Sequence, residues 1–450
     1  MRRAPGIDAG ESLQFHVLSF EGPDDYARAG GLASRISGLT EALAAAGIET
    51  HLWFVGDPDL PGVERRGCLT LHRWCQWVSH FHRGGVYDGE EAKRNDFTGS
   101  LPPFLVQRVL LPHLRGKNAR AVVLAEEWQT ADTVLHLDWL LQGAGVRNAV
   151  TLLWNANNMF GFERIDFARL ARAAIITTVS RYMRYRMWAL GVDPLVIPNG
   201  LPQEVLDPPD REAVAELRRR TRPRVVLAKV ARWDPDKRWL LAIDIVGELK
   251  RQGWSPLLLA RGGVEAHGDE VLVKAAAAGL RVRERVIPQP GAPGLLAAVS
   301  ELGDADIVSL RSPLSLESRR VLFAGSAAVL ANSGHEPFGL VGLETMAATG
   351  LACTGATGED YACPGWNALV LQTDDPHEFA GLFQRVRLDP REERAIRRHG
   401  RATAEQYAWS EILRRNLLPR LSLASGVAAL SRSQVLPARR SSRATAAHAA

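Results

Sequence analysis

The fold of this 450-residue chain is decided by the stretch Ser333-Gly334-His335-Glu336-Pro337-Phe338-Gly339-Leu340-Val341-Gly342-Leu343-Glu344-Thr345-Met346-Ala347-Ala348. The apolar run at 327–332 just before it predicts a short buried strand. Apolar side chains then recur at helical spacing at Leu340, Leu343 and Met346, which predicts a helix. A strand that turns directly into a helix is the repeating unit of α/β proteins with a parallel sheet.

The turn between this strand and this helix has the features of an anion site. Pro337 suits a helix entry because it has no N–H, and small residues at a helix start leave N–H groups and the positive end of the dipole exposed. Glu336 stands at this helix mouth, and Glu344 follows one turn past Leu340. Two carboxylates beside an anion site favour a ligand with hydroxyl groups, such as a sugar joined to a nucleotide. The same residues also fit a glycine-bearing turn with surface acids.

The spacing of Glu336 and Glu344 resembles the E-x7-E segment of retaining glycosyltransferases of the GT-B fold, family-four type, which includes glycogen synthase-like relatives. The resemblance implies that Glu336 meets the donor sugar and is catalytic. It implies that the backbone N–H groups of Phe338, Gly339 and Leu340 meet the diphosphate, and that Glu344 holds the ribose hydroxyls.

Two cations follow the predicted strand 224–230. Arg232 and Lys237 resemble the Gly-Arg-x5-Lys pattern of this family, with Ala231 in place of the glycine. The resemblance implies that both bind the donor diphosphate and act in catalysis, because fixed cations stabilise the charge that builds on a departing diphosphate. We therefore expect no metal and no cofactor other than the nucleotide-sugar substrate. Basic residues beside a helix can also form a solvated face.

The first half begins with a predicted strand, 13–20, a glycine pair and a helix, 32–46. Gly30 and Gly31 would let the backbone approach a ligand closely. Their turn resembles the family's Gly-Gly-Leu-Ala turn, which faces the donor phosphates and the acceptor. The family often has a histidine shortly after this turn, and Arg35 stands near that place here.

Two further turns follow predicted strands of the first half. Glu127 and Gln129 stand where glycogen and starch synthases have the Asp and His of an Asp-Trp-His-Thr-Ala turn. Asn155 and Asn157 follow the strand 150–154, where many family members place a histidine that contacts the donor sugar. The resemblance implies that one of the two asparagines supplies this hydrogen bond as a neutral amide, although an Asn-rich turn is an equally good explanation.

Composition bounds the remaining possibilities. The length predicts two domains, and 46% hydrophobic residues can form two cores. A net charge of +5 does not require nucleic acid as a partner. Four cysteines are too few for a disulfide framework, which favours a reduced, cytoplasmic setting. We expect neither a secretory signal nor a membrane-spanning segment, while peripheral membrane contact and oligomeric state stay open.

The predicted architecture is α/β, with two Rossmann-like domains facing each other across a cleft, the GT-B arrangement. We interpret 57–115 as a lid or acceptor-lining insert, in which His80 and His82 share a strand face, and 203–222 as the linker. The predicted domains are an acceptor domain at 1–200, a nucleotide-sugar donor domain at 201–405, a crossover helix at 406–423 with Trp409 as its anchor, and a disordered basic tail at 424–450.

The expected activity is that of a hexosyltransferase, which moves a hexosyl unit from a UDP-, ADP- or GDP-sugar to an acceptor hydroxyl with retention of configuration. The resemblance implies attack on the face of the leaving diphosphate, with a donor phosphate oxygen accepting the proton. One alternative is a disaccharide phosphorylase or synthase of the same family. Another is a noncatalytic sugar-nucleotide binding protein, and a nucleotide-sugar epimerase fits the acids less well.

Overall fold

The computed structural model describes residues 12–423, which form two compact units. Within these residues, the first unit comprises 12–197 together with 417–423, and the second comprises Pro198–Asn416. The predicted tail at 424–450 lies outside the described residues. The acceptor and donor domains and the crossover helix are not tested by this division and stay predictions.

The first unit is built on an eight-stranded sheet in the order β3-β4-β2-β1-β5-β6-β7-β8. Every neighbouring pair is parallel except β3 and β4, which are antiparallel. The strands are β1 (Ser12–Leu18), β2 (Glu49–Val55), β3 (Val63–Arg66), β4 (Leu69–Trp74), β5 (Ala119–Glu126), β6 (Val150–Ala156), β7 (Ile175–Thr178) and β8 (Leu195–Val196). The helices are α1 (Gly31–Ala45), α2 (Gln76–Ser79), α3 (Glu90–Phe104), α4 (Leu111–Leu114), α5 (Ala131–Gly143), α6 (Phe167–Ala173) and α7 (Arg181–Trp188).

The interpretation of 57–115 as an insert is wrong for its first part. Strands β3 and β4 belong to the main sheet, and β4 pairs in parallel with β2 along its whole length. The alternation in Leu69–Trp74 buries every second side chain, which is the pattern of a half-buried strand. His80 and His82 do not share a strand face, because His80 ends helix α2 and His82 lies in the following turn.

The second unit is built on a seven-stranded sheet in the order β11-β12-β10-β9-β13-β14-β15, in which every pair is parallel. The strands are β9 (Val225–Val230), β10 (Pro256–Arg261), β11 (Val282–Arg285), β12 (Ile307–Leu310), β13 (Ala328–Ala331), β14 (Ala352–Thr354) and β15 (Leu369–Val370). The helices are α8 (Arg211–Thr221), α9 (Trp239–Arg251), α10 (His267–Ala277), α11 (Ala292–Ala298), α12 (Leu316–Gly325), α13 (Leu340–Ala347), α14 (Pro376–Leu388), α15 (Pro390–Gln406) and α16 (Trp409–Ile412).

The predicted linker at 203–222 is also wrong, because α8 is part of the second unit's core. Its apolar side chains Ala213, Val214 and Leu217 are buried in a cluster on one face of the sheet. Asp210 caps the helix by accepting hydrogen bonds from the N–H groups of Glu212 and Ala213. The rest of the helix surface is rich in arginine, which hides the apolar stripe in the sequence.

The end of the described chain is helical with one irregular turn. A π-helical turn, Leu413–Leu417, joins α16 to α17 (Leu418–Leu423). Trp409 is buried inside the second unit, and a Cβ atom added to Gly200 would lie 2.4 Å from its ring. All four cysteines are free thiols. Within residues 12–423, no helix combines the length and the apolar character needed to cross a membrane.

Candidate active site

The order of the strands in the second sheet indicates a ligand site at the carboxyl ends of its central strands. Strand β9 lies between β10 and β13, so the chain leaves β9 toward one side of the sheet and returns on the other side with β13. In open α/β sheets, ligands bind outside the carboxyl ends of strands at such a switch point. The loops that leave this point are 231–238 after β9 and 332–339 after β13, and they hold the predicted cations and Glu336.

The structure brings two of the predicted residues into contact. The Lys237 Nζ atom donates to Glu336 Oε2 over 2.6 Å, and both side chains are about one-fifth exposed. The Glu336 N–H in turn donates to the Thr357 hydroxyl over 2.9 Å. Glu336 and Lys237 are therefore in contact beyond the carboxyl ends of β9 and β13, although 99 residues separate them in the sequence.

Asp236 joins the two loops by accepting hydrogen bonds from two backbone N–H groups of the loop after β13. Its carbonyl oxygen accepts from the Gly334 N–H over 2.7 Å, and its carboxylate accepts from the His335 N–H over 3.0 Å. The carboxylate of Asp234 holds the turn itself by accepting from the Asp236 N–H. These bonds fix Lys237 and Glu336 on a common frame.

The start of helix α13 carries unpaired backbone donors. Gly339 precedes the helix in the left-handed region, at φ 76° and ψ 63°. Within residues 12–423, no oxygen accepts a hydrogen bond from the N–H groups of Phe338, Gly339, Leu340 or Val341. An eight-residue helix with a free N-terminus next to a lysine is suited to bind an anion.

A second buried acid lies against this helix mouth. Glu359 Oε2 accepts from the Thr357 N–H over 3.2 Å, and Glu359 Oε1 is buried without a partner in the described part of the chain. Burial, together with the negative charge of Glu336, raises the pKa of the Glu359 carboxyl to about 8. A Cβ atom added to Gly339 would lie 2.8 Å from Glu359 Cγ, so only glycine fits there.

Glu344 has a partner that the sequence did not reveal. Both of its carboxylate oxygens accept from Arg319 Nη1, over 2.9 and 3.2 Å. Burial raises the pKa of Glu344, while the Arg319 cation acts in the opposite direction. The predicted ribose ligand is thus held in one orientation by an arginine of α12.

Arg232 differs from Lys237. Its side chain is exposed, and within residues 12–423 its guanidinium takes part in no hydrogen bond, ion pair or ring contact. Its carbonyl oxygen accepts from the indole N–H of the buried Trp239 over 2.7 Å, which fixes the backbone of the loop. Arg232 therefore offers a free cation on an anchored backbone.

In the first unit, the glycine turn is already occupied by a side chain. Glu21 Oε2 accepts from the N–H groups of Gly30 and Ala33, each over 3.0 Å, and Tyr87 donates to the other carboxylate oxygen over 2.8 Å. The start of α1 thus carries a carboxylate of the chain itself, in contrast to the start of α13. The predicted ligand contact of Gly30 and Gly31 stays a prediction.

Asn155 and Asn157 converge on one carboxylate. Their side-chain amides donate to Glu126 Oε2 over 2.8 and 2.7 Å, and Arg35 donates to Glu126 Oε1 over 3.1 Å. Asn155 is fully buried, and its amide oxygen accepts from Thr177 over 2.8 Å, so both ends of its amide are used. Asn157 keeps its amide oxygen unpaired within the described residues and is the better placed of the two to meet a sugar.

Glu127 occupies an unusual backbone conformation beside this cluster. Its φ of 70° and ψ of 168° lie in a backbone region that residues other than glycine rarely adopt. Burial raises the pKa of its carboxyl to about 8, although the hydrogen bond from the Asn157 N–H acts to lower this pKa. Gln129 donates to Glu90 over 2.8 Å. Strain and a neutral buried acid at the end of β5 are typical of a functional site.

A polar cavity of about 350 Å³ opens in the first unit between the turn after β1 and the loop before α3. It is lined by Asp25, Tyr26, Arg28, Ala29 and the run 83–88. The buried Lys93 amine supports its wall by donating to the carbonyl oxygens of Gly85 and Asp88. Within residues 12–423, no three His, Cys, Asp or Glu side chains are grouped so as to hold a metal ion.

No family model and no curated protein matches the sequence. Among solved structures, sucrose-phosphate synthase from Thermosynechococcus elongatus is 19% identical, with a TM-score of 0.63, over 92% of this chain and 99% of that chain. The Anabaena HepE protein in complex with UDP-glucose is 13% identical, with a TM-score of 0.59, over 91% of this chain and 99% of that one.

A third neighbour is the catalytic domain of starch synthase IV from Arabidopsis thaliana bound to ADP and acarbose. It is 15% identical, with a TM-score of 0.60, and the match covers 95% of this chain and 100% of that chain. The chain therefore has the two-domain α/β GT-B fold, and this prediction is confirmed. Arg319 and Thr357 are the residues of the candidate site that the sequence did not indicate.

Proposed function

We propose that this protein is a retaining glycosyltransferase that moves a hexosyl unit from a nucleotide-sugar to an acceptor hydroxyl. One observation carries the proposal: Lys237 contacts Glu336 over 2.6 Å at a sheet switch point, beside the free N-terminus of α13. The ligands of the structural neighbours, UDP-glucose in one and ADP in another, support the nucleotide-sugar as donor class.

The donor diphosphate lies at the start of α13 in this proposal. The N–H groups of Phe338, Gly339 and Leu340 bind its oxygens, and Lys237 turns from Glu336 to the phosphate. The free guanidinium of Arg232 supplies a second cation. Glu344, held by Arg319, accepts hydrogen bonds from the ribose hydroxyls.

The reaction needs no protein base in this arrangement. The acceptor oxygen attacks the anomeric carbon on the face of the leaving group, the bond from that carbon to the diphosphate oxygen breaks, and its electron pair stays on the diphosphate. The acceptor proton passes to a donor phosphate oxygen. Glu336 binds the hexose hydroxyls, and the two cations stabilise the developing charge. Because these cations neutralise the leaving group, we expect turnover to persist in EDTA.

The acceptor side is proposed for the first unit. The cavity beside Tyr26, Arg28 and Tyr87 combines aromatic faces with charged hydrogen-bonding groups, a combination that suits a polyhydroxylated acceptor. Asn157, whose amide oxygen is unpaired within the described residues, is proposed as a hydrogen-bond partner for a sugar in this unit. Substitution Arg28→Ala should raise the KM for the acceptor several-fold and leave donor binding unchanged.

Three variants test the proposal. Glu336→Gln should lower kcat by about two orders of magnitude, since it removes a charge that acts at the reacting sugar. The double variant Arg232→Ala with Lys237→Ala should weaken donor binding by about 10- to 100-fold, the effect of losing charged hydrogen bonds. Lys274→Ala is the matched control, because Lys274 pairs with Asp244 away from the loops. Unchanged kinetics in both site variants would refute the proposal.

Two alternatives are separated by the products. A disaccharide phosphorylase would consume or release orthophosphate instead of a nucleoside diphosphate. A noncatalytic binding protein is favoured by one observation, since Asn155, Asn157 and Arg35 all bind Glu126 and leave few groups free for a sugar. Donor binding without transfer to any member of an acceptor panel would support that alternative.

A further inference from the structure

A lysine amine is buried next to the first residue of the loop 332–339, which we call the donor loop. Lys229 lies on β9 with 1% of its surface exposed, and its Nζ atom donates to the Leu330 carbonyl oxygen over 3.0 Å and to Asn332 Oδ1 over 2.9 Å. The amine also lies 5.4 Å from the centre of the Trp239 ring. The flanking residues of β9 are apolar, so a lysine at this position needs a reason beyond filling the core.

Lys229 orients the residue at which the loop begins. Asn332 is fully buried, and its Nδ2 atom has no partner in the described part of the chain. The bond from Lys229 therefore fixes the amide of Asn332, four residues before Glu336. Any change in this bond acts on the loop that carries Glu336 and leads into α13.

The charged and titratable groups around Lys229 are four side chains from three elements. They are Cys353 on β14, Lys237 and Arg238 in the turn before α9, and Glu336 in the loop after β13. Burial lowers the pKa of the Lys229 amine to about 7, and the charges of Lys237 and Arg238 lower it as well. Burial raises the pKa of the Cys353 thiol, so this neighbour is neutral near pH 7.

We propose that Lys229 is a third cation of the donor site, a positioning residue that acts through Asn332 and takes up a proton when a nucleotide-sugar binds. The inference rests on the proposed function, because it needs a diphosphate beside Lys237 and the start of α13. That diphosphate opposes the repulsion from Lys237 and favours the charged form of Lys229. By linkage, donor affinity falls as the pH rises through the range in which the free protein loses this proton.

The test is isothermal titration calorimetry of the full chain with UDP-glucose, ADP-glucose and GDP-mannose at pH 7.5. Each titration is repeated in buffers of different ionisation enthalpy, so that the number of protons taken up can be obtained. Both phosphates of these donors are esterified and have no proton that titrates near neutrality, unlike a phosphate monoester. We expect uptake of about half a proton or more per donor bound, because an amine with a pKa near 7 is mostly neutral at pH 7.5.

Variants assign the proton to Lys229. Lys229→Arg keeps a charge at every pH, so it should bind the donor within about threefold of the original affinity and lose most of the uptake. Lys229→Met should bind at least about fivefold more weakly at pH 6.5 and show a flat pH profile. Glu359→Gln is the matched control, since it removes the acid beside the start of α13 whose pKa is also near neutrality, and it should keep most of the uptake.

The outcomes separate this inference from the proposed function. Donor binding without proton uptake, or equal uptake in Lys229→Arg, overturns the role of Lys229 and leaves the glycosyltransferase proposal standing. Failure of every nucleotide-sugar to bind at any pH overturns both. If Lys229→Arg does not fold, Lys229→Gln takes its place, and the measurement on the original protein decides the question of uptake without any variant.

Discussion

Gly358 sits where the turn after β14 meets the donor loop, and replacing it with alanine should displace that loop. The added Cβ atom would lie 2.1 Å from the Glu336 carbonyl oxygen and 2.3 Å from that of Pro337. Ordinary contact begins at 3.4 Å, so the loop would have to retreat by about 1 Å. Both close atoms belong to the backbone, and neither can rotate away as the end of a side chain could.

A displacement of this size has two consequences of different magnitude. Overpacking of a buried turn costs about 1–3 kcal/mol of unfolding free energy. A shift of about 1 Å in a residue that acts on the reacting sugar lowers the rate by about 100-fold. Gly358→Ala should therefore remain folded and lose nearly all transferase activity.

This variant is tested by urea unfolding and by steady-state kinetics. The kinetics use whichever nucleotide-sugar is first shown to bind the protein. Gly381→Ala is the matched control: the residue lies in helix α14 of the same unit, and nothing is within 4 Å of its added Cβ atom. Alanine should stabilise that helix by about 0.5–1 kcal/mol and leave kcat unchanged. Full activity of Gly358→Ala would show that the position of the Glu336 backbone does not control the reaction.

Three further predictions concern stability. Gly339→Ala should lower the unfolding free energy by about 1–2 kcal/mol in denaturant titrations, because an L side chain at φ 76° is strained. Glu127 has a folded-state pKa raised to about 8, so its contribution to the free energy of unfolding is complete below pH 4.5 and is lost as the pH rises through 8. The urea midpoint should therefore fall between pH 5 and 9, and Glu127→Gln should weaken this fall. Trp409→Ala should lose about 3–5 kcal/mol, and Trp366→Ala, at a half-exposed site, less than about 1 kcal/mol.

The sequence predicted those parts of the site that depend on local pattern. The turn from a buried strand into a helix at 333–340 follows from periodicity and glycine placement, and so do the positions of Arg232 and Lys237 after a strand. The resemblance implied that Lys237 and Glu336 act on the same donor, but it did not predict their direct contact. Parallel neighbours in a sheet cannot be read from one sequence, because strand order is a property of the whole chain.

The remaining partners are long-range and carry no local signal. Arg319 binds Glu344 from a helix 25 residues earlier, and one arginine among many on a helix surface looks like a solvated group. Glu21 reaches the start of α1 from nine to twelve residues away, although nothing in its sequence context resembles a capping box. Helix α8 was misread because its few apolar residues are outnumbered by charged ones.

We infer that the free N–H groups at the start of α13 bind the donor diphosphate. Millisecond hydrogen–deuterium exchange of the full chain, with and without saturating nucleotide-sugar, measures these groups directly. We expect the amides of Phe338, Gly339, Leu340 and Val341 to exchange at least tenfold more slowly when the donor is bound. If the donor binds and these four amides exchange as fast as in the free protein, the diphosphate lies elsewhere and the start of α13 is not its binding site.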